Sequence, residues 1–309
     1  MTILMTERSL QRDRLNREEL VASLTNAIPL DGTKEPLEGI RLARASVPTD
    51  RVHGVSKPSL CVIAQGIKEI YLGEGTYRYD PEHYLMATLE LPVTGRVIQA
   101  TSDHPYLSIR VEIEPSLVGQ VMVEAGQLSF PPASESKAVV VSSLGGGLLD
   151  AVVRLGRLLE TPSEARVLLP ILKREIVYRL MIGEQGARLR HLPLQGGHTD
   201  RIARAVEKLR NNFTQNLSIE GLAKDLGMSP SGFHHHFKVV TDMSPLQFQK
   251  QLRLQEARRL MLGESLDAAS AGYRVGYDDP SHFSRDYKRL FGDSPVRDVD
   301  RLRSMVSAD

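Results

Sequence analysis

The sequence predicts an α+β protein of two domains, with a β-rich N-terminal domain and an all-α C-terminal domain. Three observations predict this division. The 309 residues are enough for about two domains. Short apolar runs between turn residues fill residues 41–115, whereas helical apolar spacing extends from Thr199 almost to the end. The C-terminal part also repeats a short motif at a spacing of about fifty residues.

The charge balance and the single cysteine limit the classes of protein that fit. Lys and Arg number 39 and Asp and Glu number 38, which excludes a strongly basic coat protein but not a local basic face. Cys61 is the only cysteine, so no intrachain disulfide forms, and residues 1–19 lack the pattern of a signal peptide. No apolar run approaches the ~20 residues that span a bilayer. We therefore expect a cytoplasmic protein without a membrane partner.

The N-terminal region predicts one helix followed by many short strands. Leu10–Ala27 has helix-like apolar spacing, and Tyr106–Ile113 alternates apolar residues with Ser108, Arg110 and Glu112 as a strand does. Strands this short and frequent predict a small antiparallel barrel or sandwich. Further apolar runs are Leu60–Ala64 and Leu85–Leu91, and the turn signals between strands include Gly73–Gly75, Asp80–Pro81, Pro92–Gly95 and Asp103–Pro105.

Helices are predicted after the strands. Pro115 opens a helix that runs to Val123, and Leu148–Leu159 and Ala165–Met181 have helical apolar spacing. Each of the latter two must bury a stripe, against the barrel or against another copy, so residues near 148–190 are predicted to link or dimerise. Leu192–Gly197 is typical of a linker. The domains are therefore expected at 1–195 and 199–309. The stripe of the longer helix comprises Val167, Leu168, Ile171, Leu172, Ile176 and Leu180.

The C-terminal repeat predicts two helices of the same design. Ser229–Lys238 aligns with Asp279–Lys288. Ser and Asp are preferred N-cap residues, and Pro230 and Pro280 then occupy the first helical position. Each helix carries two aromatic residues four positions apart, which face a core and leave the intervening residues outside. The pairs are Phe233/Phe237 and Phe283/Tyr287.

Each copy has the spacing of a helix-turn-helix. Ala223 permits close approach of two helices, Gly227 makes the turn, and Phe233 locks the second helix. Gly272 holds the place of Ala223 in the second copy. Pro245–Leu262 predicts one connecting helix of about 27 Å, against about 34 Å between successive major grooves on one face of DNA. The spacing predicts two recognition helices in successive grooves.

Residues 200–300 resemble the DNA-binding domain of the AraC/XylS family of bacterial transcription regulators. The match is carried by Val275–Pro295, and Arg253, Leu254, Ala257, Arg258 and Leu260 resemble the family's linker helix. Ala268 and Gly272 depart from the pattern. The strand region resembles the cupin-like N-terminal domain of one subgroup, which implies a β-barrel with flanking helices that senses an effector. That second resemblance rests on Leu60–Lys68, Tyr77–Asp80 and Leu91–Gly95.

The outward positions of the two recognition helices are the candidate DNA contacts. The resemblance implies base contacts at Ser231, His234 and His235, and Arg285 suits bidentate contact with guanine. Basic residues at the helix ends suit phosphates. The full set of expected base contacts is Ser231, Gly232, His234, His235, Ser281, His282 and Arg285. The expected phosphate contacts are Ser229, Lys238, Lys288 and Arg289.

The predicted barrel suits a small-molecule pocket better than a metal site. Its histidines, His53, His83 and His104, occur singly, and no His-x-His occurs in residues 1–198. The run from His234 to His236 does not converge, because consecutive helical residues point about 100° apart. We expect no metal and no cofactor. The polar candidates for effector contact are Gln65, Lys68, Tyr77, Arg96 and Arg110.

The sequence therefore predicts a DNA-binding transcription regulator, not an enzyme, controlled by a small-molecule effector at its N-terminal domain. Its expected partners are a double-stranded DNA operator, RNA polymerase, the effector and a second copy of the chain. Two alternatives stay open at this point. One is a cupin-type enzyme with a DNA-binding appendage, and the other is a ligand-independent regulator whose N-terminal domain binds a protein partner.

Overall fold

The chain forms two compact units, Met1–Asp200 and Arg201–Asp309. The structure, a computed structural model, describes residues 2–126, 137–190, 197–216 and 218–306. The predicted linker Leu192–Gly197 lies outside the described residues except for Gly197, which begins a helix. Within the described part of the chain, no helix is long and apolar enough to cross a membrane.

The first unit contains ten strands and five helices among its described residues. In chain order they are α1 (Thr2–Ala27), β1 (Gly32–Leu37), β2 (Ile40–Ala45), β3 (Val52–Ser56), β4 (Ser59–Gln65), β5 (Ile67–Leu72), β6 (Gly75–Tyr79), β7 (His83–Ala87), β8 (Leu91–Gln99), β9 (Tyr106–Glu112), α2 (Pro115–Glu124), β10 (Val139–Ser143), α3 (Gly146–Leu158), α4 (Pro162–Ile182) and α5 (Gly186–Arg190).

The strands form two antiparallel sheets whose inner faces meet, which confirms the predicted cupin-like barrel. One sheet has six strands in the order β1-β2-β9-β4-β7-β10, and the other has four in the order β3-β8-β5-β6. Contact between the inner faces is direct, because the Lys68 ammonium of β5 lies 5.7 Å from the ring of Tyr106 on β9. The barrel therefore encloses the side chains that alternate inward along both sheets.

Two strand predictions were wrong in detail. The apolar run Leu85–Leu91 is split, because β7 ends at Ala87 and β8 begins at Leu91. Pro92–Gly95, predicted as a turn, lies within β8. Pro92 is tolerated there because it is the second residue of the strand and pairs with the edge strand β3.

The helices cover the outer face of the six-stranded sheet. Alternate residues of β9, such as Leu107 and Ile109, pack with α1, α2, α3 and α4 in one apolar core. The apolar stripe of α4 divides. Its C-terminal members, among them Ile176 and Leu180, are buried in this core, whereas Val167 and Ile171 stay exposed. Of the two predicted ways to bury the stripe, packing on the barrel domain therefore accounts for its C-terminal half only.

A carboxylate ties α3 to α4. Glu175 of α4 accepts a hydrogen bond of 2.6 Å from Arg154 of α3 and one of 2.8 Å from Arg179 one turn further along α4. The hydrogen bond from Arg154 is the largest factor that lowers the pKa of Glu175, against a smaller effect of burial. Glu175 is thus held ionised at the junction of the two helices.

The second unit is entirely helical within its described residues, as predicted. Its elements are α6 (Gly197–Asn211), α7 (Ile219–Asp225), α8 (Pro230–Thr241), α9 (Pro245–Gly263), α10 (Ala268–Arg274), α11 (Pro280–Phe291) and α12 (Pro295–Val306). The predicted caps are confirmed. Ser229 Oγ accepts from the Gly232 N–H at 3.2 Å, and Asp279 Oδ1 accepts from the Ser281 N–H at 2.8 Å.

Gly272 has a packing role in the second helix-turn-helix. A Cβ at this position would lie 3.0 Å from Cγ of the buried Phe283 ring, so glycine lets α10 and α11 approach closely. The departure from alanine costs helix propensity but accommodates this aromatic contact. Phe283 in turn packs against Tyr277 and Tyr287, with ring centroids 5.3 Å and 5.6 Å away.

Asp298 is a fully buried carboxylate in the second unit. Its oxygens accept hydrogen bonds of 2.8 Å from Arg258 of α9, from Arg301 of α12 and from the hydroxyl of Tyr287 on α11. A buried charge is stable only when it is paired and hydrogen-bonded. Asp298 therefore joins three helices through one side chain.

We predict that Asp298→Ala lowers the free energy of unfolding by about 3–5 kcal/mol, because it leaves the buried end of Arg258 without its anion. Asp300→Ala is the matched control, since Asp300 is an exposed carboxylate on the same helix and is expected to change stability by about 0.5 kcal/mol or less. Urea unfolding followed by circular dichroism measures both. Equal losses in the two variants would contradict a structural role for Asp298.

We also predict that Glu175→Gln destabilises the protein at neutral pH by about 1 kcal/mol or less, because the pair is partly exposed. A carboxylate with a lowered pKa contributes stability above its ordinary pKa of 4.5 and loses it as the pH falls through the folded value. The difference in stability between variant and parent should therefore disappear as the pH falls through this range. Thermal melting across this range measures it, with the exposed Glu164→Gln as control. A difference in melting temperature that grew as the pH fell would refute a stabilising role for the ionised Glu175.

Candidate nucleic-acid interface

The first recognition helix, α8, has one buried and one exposed face. Phe233 and Phe237 are buried with ring centroids 5.6 Å apart, and Phe237 continues the contact to Phe248 of α9. The expected base contacts lie on the opposite face. Ser231, His234 and His235 are exposed, and Gly232 is half-buried with its N–H donated to the cap residue Ser229.

The second recognition helix, α11, repeats this division. Phe283 and Tyr287 are buried, whereas Ser281, His282 and Arg285 are exposed. The Arg285 Nε–H donates to the Ser281 carbonyl at 3.3 Å, and the two terminal guanidinium nitrogens form no hydrogen bond with another described residue. These two nitrogens are the donors that a bidentate contact with guanine uses.

A buried carboxylate holds one of the expected base contacts. Asp286 lies one turn after His282, and its Oδ2 is 3.3 Å from the His282 Nε2 and 3.0 Å from the Lys250 ammonium of α9. The Tyr277 hydroxyl is 3.4 Å from the same oxygen. Asp286 therefore orients the imidazole of His282 and fixes α11 to the connecting helix. The aromatic spacing predicted that the residues between Phe283 and Tyr287 face outward, and this was wrong for Asp286, which is buried. Sequence reasoning therefore missed its contacts with His282 and Lys250.

The expected phosphate contacts lie at the helix ends. Ser229 caps α8 and remains exposed, and Lys238 is exposed near the end of the same helix. Lys288 and Arg289 are exposed in the last turn of α11. Neither of these two residues forms an ion pair with another described residue, so their charges are available to an anion.

Arg253 on the connecting helix α9 links the segment between α6 and α7 to the turn of the second motif. Its Nε–H donates to the carbonyl of Phe213 at 2.6 Å, and its Nη1 donates to the carbonyl of Gly276 at 2.8 Å. Phe213 follows α6, and Gly276 is the turn residue of the second motif, where φ is +94°. Burial of the guanidinium lowers the pKa of Arg253. The resemblance marked Arg253 as part of the linker helix, but its carbonyl partners are visible only in the structure.

The five effector candidates fall into three groups in the N-terminal unit. Arg96 is exposed on the outer face of β8. Gln65 is committed to structure, because its amide donates to the Pro105 carbonyl at 2.9 Å. Lys68 and Tyr77 are inward positions on β5 and β6, and Arg110 is inward on β9. The structure therefore brings Lys68 and Arg110 into the barrel together and places Arg96 outside it.

Sequence reasoning missed the other inward residues of the barrel. Cys61 is buried and accepts a hydrogen bond from the Arg110 Nε–H at 3.1 Å, and Tyr79 and Tyr106 are buried beside them. Strand alternation already placed Arg110 opposite the apolar face of β9. The alternation does not show that a second sheet covers the face of β9 that carries Arg110.

The isolated histidines of the N-terminal unit have ordinary surroundings. His83 Nδ1 lies 2.7 Å from Asp80 Oδ1, His53 Nδ1 lies 2.9 Å from the Thr94 hydroxyl, and His104 is exposed. Among the residues that the structure describes, no three His, Cys, Asp or Glu side chains form a group that could hold a metal.

Two sequence families match consecutive stretches of the chain. The family described as AraC-type transcriptional regulator N-terminus matches residues 36–188, and a helix-turn-helix domain family matches residues 222–299. The HTH-type transcriptional activator RhaS of Salmonella arizonae is 27% identical over 161 residues, which are 51% of this chain and 56% of that protein. RhaS of Salmonella typhimurium is 26% identical over 162 residues. The chain thus matches about half the length of these curated relatives.

Solved structures share the fold over most of the chain. ToxT from Vibrio cholerae O395 bound to (E)-4-(8-methylnaphthalen-1-yl)but-3-enoic acid has a TM-score of 0.58 at 12% identity, covering 88% of this chain and 100% of that chain. Unsaturated fatty acid bound wild-type ToxT from strain SCE256 has a TM-score of 0.52 at 10% identity, covering 83% and 92%. With the strand domain and the double helix-turn-helix both matched in order, the chain belongs to the AraC family of transcriptional regulators.

Proposed function

We propose that the chain is a sequence-specific DNA-binding transcription regulator that reads one operator with α8 and α11. The observation that carries this proposal is the duplicated helix-turn-helix, in which each second helix buries its aromatic face and exposes its polar face. The connecting helix α9 has 19 residues, or about 28 Å. That length suits two recognition helices in successive major grooves, about 34 Å apart.

In this proposal, residues 199–309 bind DNA and residues 1–195 regulate the binding. Ser231, Gly232, His234 and His235 of α8, and Ser281, His282 and Arg285 of α11, face base edges. Ser229, Lys238, Lys288 and Arg289 contact phosphates and set the register without reading sequence. RNA polymerase is the partner expected of a regulator bound beside a promoter.

The N-terminal unit is proposed to bind a small-molecule effector inside its barrel, with Lys68, Tyr77 and Arg110 as the inward polar residues. The ToxT structures contain an unsaturated fatty acid or a naphthalenyl butenoic acid. An effector changes DNA binding only if its affinity differs between the DNA-binding and the non-binding states. We assign the barrel no catalytic step, and we propose that helices near 148–190 pair two copies of the chain.

Selection from random DNA at fixed salt tests the proposed function with the full chain. We expect an enriched motif of two blocks about one helical turn apart. A motif with a single block would refute the use of two grooves. Absence of any enriched sequence, with and without extracts of small molecules, would contradict sequence-specific binding and favour the protein-partner alternative.

We predict that Arg285→Ala costs about 1–3 kcal/mol in binding to the selected DNA and relaxes the preference at one base position. The reason is the loss of a bidentate donor from the exposed face of α11. Arg297→Ala is the control, because it removes the same charge from an exposed site outside the recognition helices. Quantitative gel shift on selected and random DNA measures both variants. An equal loss of affinity for selected and random DNA would show that Arg285 does not contact a base.

We predict that Lys288→Ala lowers the affinity for selected and for random DNA by the same factor, because it removes a phosphate contact. The slope of log affinity against log salt concentration should become shallower by about 1. Titrations at several salt concentrations measure the slope. A loss confined to the selected DNA, with an unchanged slope, would assign Lys288 to base reading instead.

A further inference from the structure

The second recognition helix, α11, carries a histidine against which a buried carboxylate lies. Asp286 is 4% exposed, and its Oδ2 lies 3.3 Å from the Nε2 of His282. The side chain of His282 is itself 56% exposed, and its ring meets the ring of Tyr277 edge-on at 5.7 Å. One nitrogen of the imidazole therefore faces the interior, whereas the other, Nδ1, has no hydrogen-bond partner among the described residues.

The charge of Asp286 is balanced by a cation from another helix. Lys250 of α9 places its ammonium 3.0 Å from the same Oδ2. The Tyr277 hydroxyl donates to this oxygen at 3.4 Å and keeps its proton, because burial raises the pKa of Tyr277 and the charge of Asp286 raises it further. The carboxylate thus has its counter-ion without a second proton on the imidazole. A histidine stays mostly neutral at neutral pH unless its surroundings favour the charged form.

The other charged residues at this junction have different partners. Arg253 donates to backbone carbonyls, and Asp279 accepts from the backbone at the start of α11. Asp278 borders a cavity of 360 Å³ beside His282. Of the carboxylates that the structure describes, Asp286 alone forms an ion pair with His282. Asp286 is therefore the group that decides which imidazole nitrogen carries the hydrogen.

We infer that Asp286 is a positioning residue that determines which chemical group of a base His282 reads. An ionised carboxylate only accepts hydrogen bonds, so it holds the imidazole with Nε2–H inward and leaves Nδ1 as a bare acceptor on the exposed side. In the major groove this acceptor fits the exocyclic amino group of adenine or cytosine, and it repels the carbonyl oxygen of guanine or thymine. That His282 meets a base rests on the function proposed above, whereas its tautomer does not.

Nuclear magnetic resonance of the full chain with ¹⁵N-labelled histidine measures the tautomer without DNA. The chain has nine histidines, and the signals of His282 are those that disappear in His282→Gln. Above pH ~7.5, where an ordinary histidine is neutral, we expect the nitrogen shifts of one tautomer, with the hydrogen on Nε2. Asp286→Asn should keep this pattern, because Lys250 attracts an oxygen to the position of Oδ2. Asp286→Ala should give shifts averaged between the two tautomers, as in free histidine.

Base analogues in the selected DNA measure the reading itself. The position that His282 reads is the one whose preference is lost in His282→Ala. An analogue of the adenine or cytosine at this position that lacks the exocyclic amino group should weaken binding of the parent about threefold to tenfold, as expected for one hydrogen bond. It should not weaken binding of His282→Ala. Asp286→Ala should lose this dependence on the amino group, and Asp286→Asn should keep it. Asp300→Ala is the matched control, because it removes an exposed carboxylate from the same unit.

A role of Asp286 in packing alone predicts a different result. If Asp286 positions His282, Asp286→Ala should keep the preference at the position that Arg285 reads and the helix content by circular dichroism. Loss of preference at both positions would assign Asp286 to the packing of α11 and overturn the inference. A hydrogen on Nδ1 in the parent, or an unchanged affinity after removal of the amino group, would also overturn it. Absence of any enriched DNA, with the hydrogen found on Nε2, would refute the proposed function and base reading by His282 but not the tautomer.

Discussion

The arrangement of the DNA-binding unit depends on the hydrogen bonds of one guanidinium. Arg253 donates from the middle of the connecting helix to the carbonyl of Phe213 before the first motif and to the carbonyl of Gly276 in the second. Backbone carbonyls cannot be moved by a rotamer change, so this link fixes the segment before the first motif and the turn of the second motif against α9. The planar guanidinium makes such a fork at fixed geometry, which a lysine does not.

Two buried carboxylates extend this arrangement to the surface that reads DNA. Asp298 fixes the back of α11 through Tyr287 and binds α9 through Arg258. Asp286 fixes the same helix through Lys250 and holds the exposed imidazole of His282. The contacts of the buried face of α11 therefore fix the orientation of its exposed face. Asp286, which packs the helix, lies one turn after His282, an expected base contact.

The N-terminal unit uses its charges in the opposite way. In the DNA-binding unit each buried acid is paired, whereas Lys68 lies inside the barrel without a carboxylate. The two units thus differ in where their cations lie, because α11 exposes Lys288 and Arg289, whereas the barrel holds Lys68 and Arg110 on its inward faces.

The sequence by itself determined the local features of the protein. The caps at Ser229 and Asp279, the buried aromatic pairs and the order of strands before helices follow from spacing and residue type alone, because these interactions join neighbours along the chain. It also indicated the outward faces of α8 and α11. Only the tertiary structure decided which polar residues meet across elements. It placed Arg96 outside the barrel and Lys68 inside, joined Asp286 to His282 and Lys250, and split the apolar stripe of α4. Such contacts depend on how sheets and helices stack, and the alternation of one strand does not show what covers either of its faces.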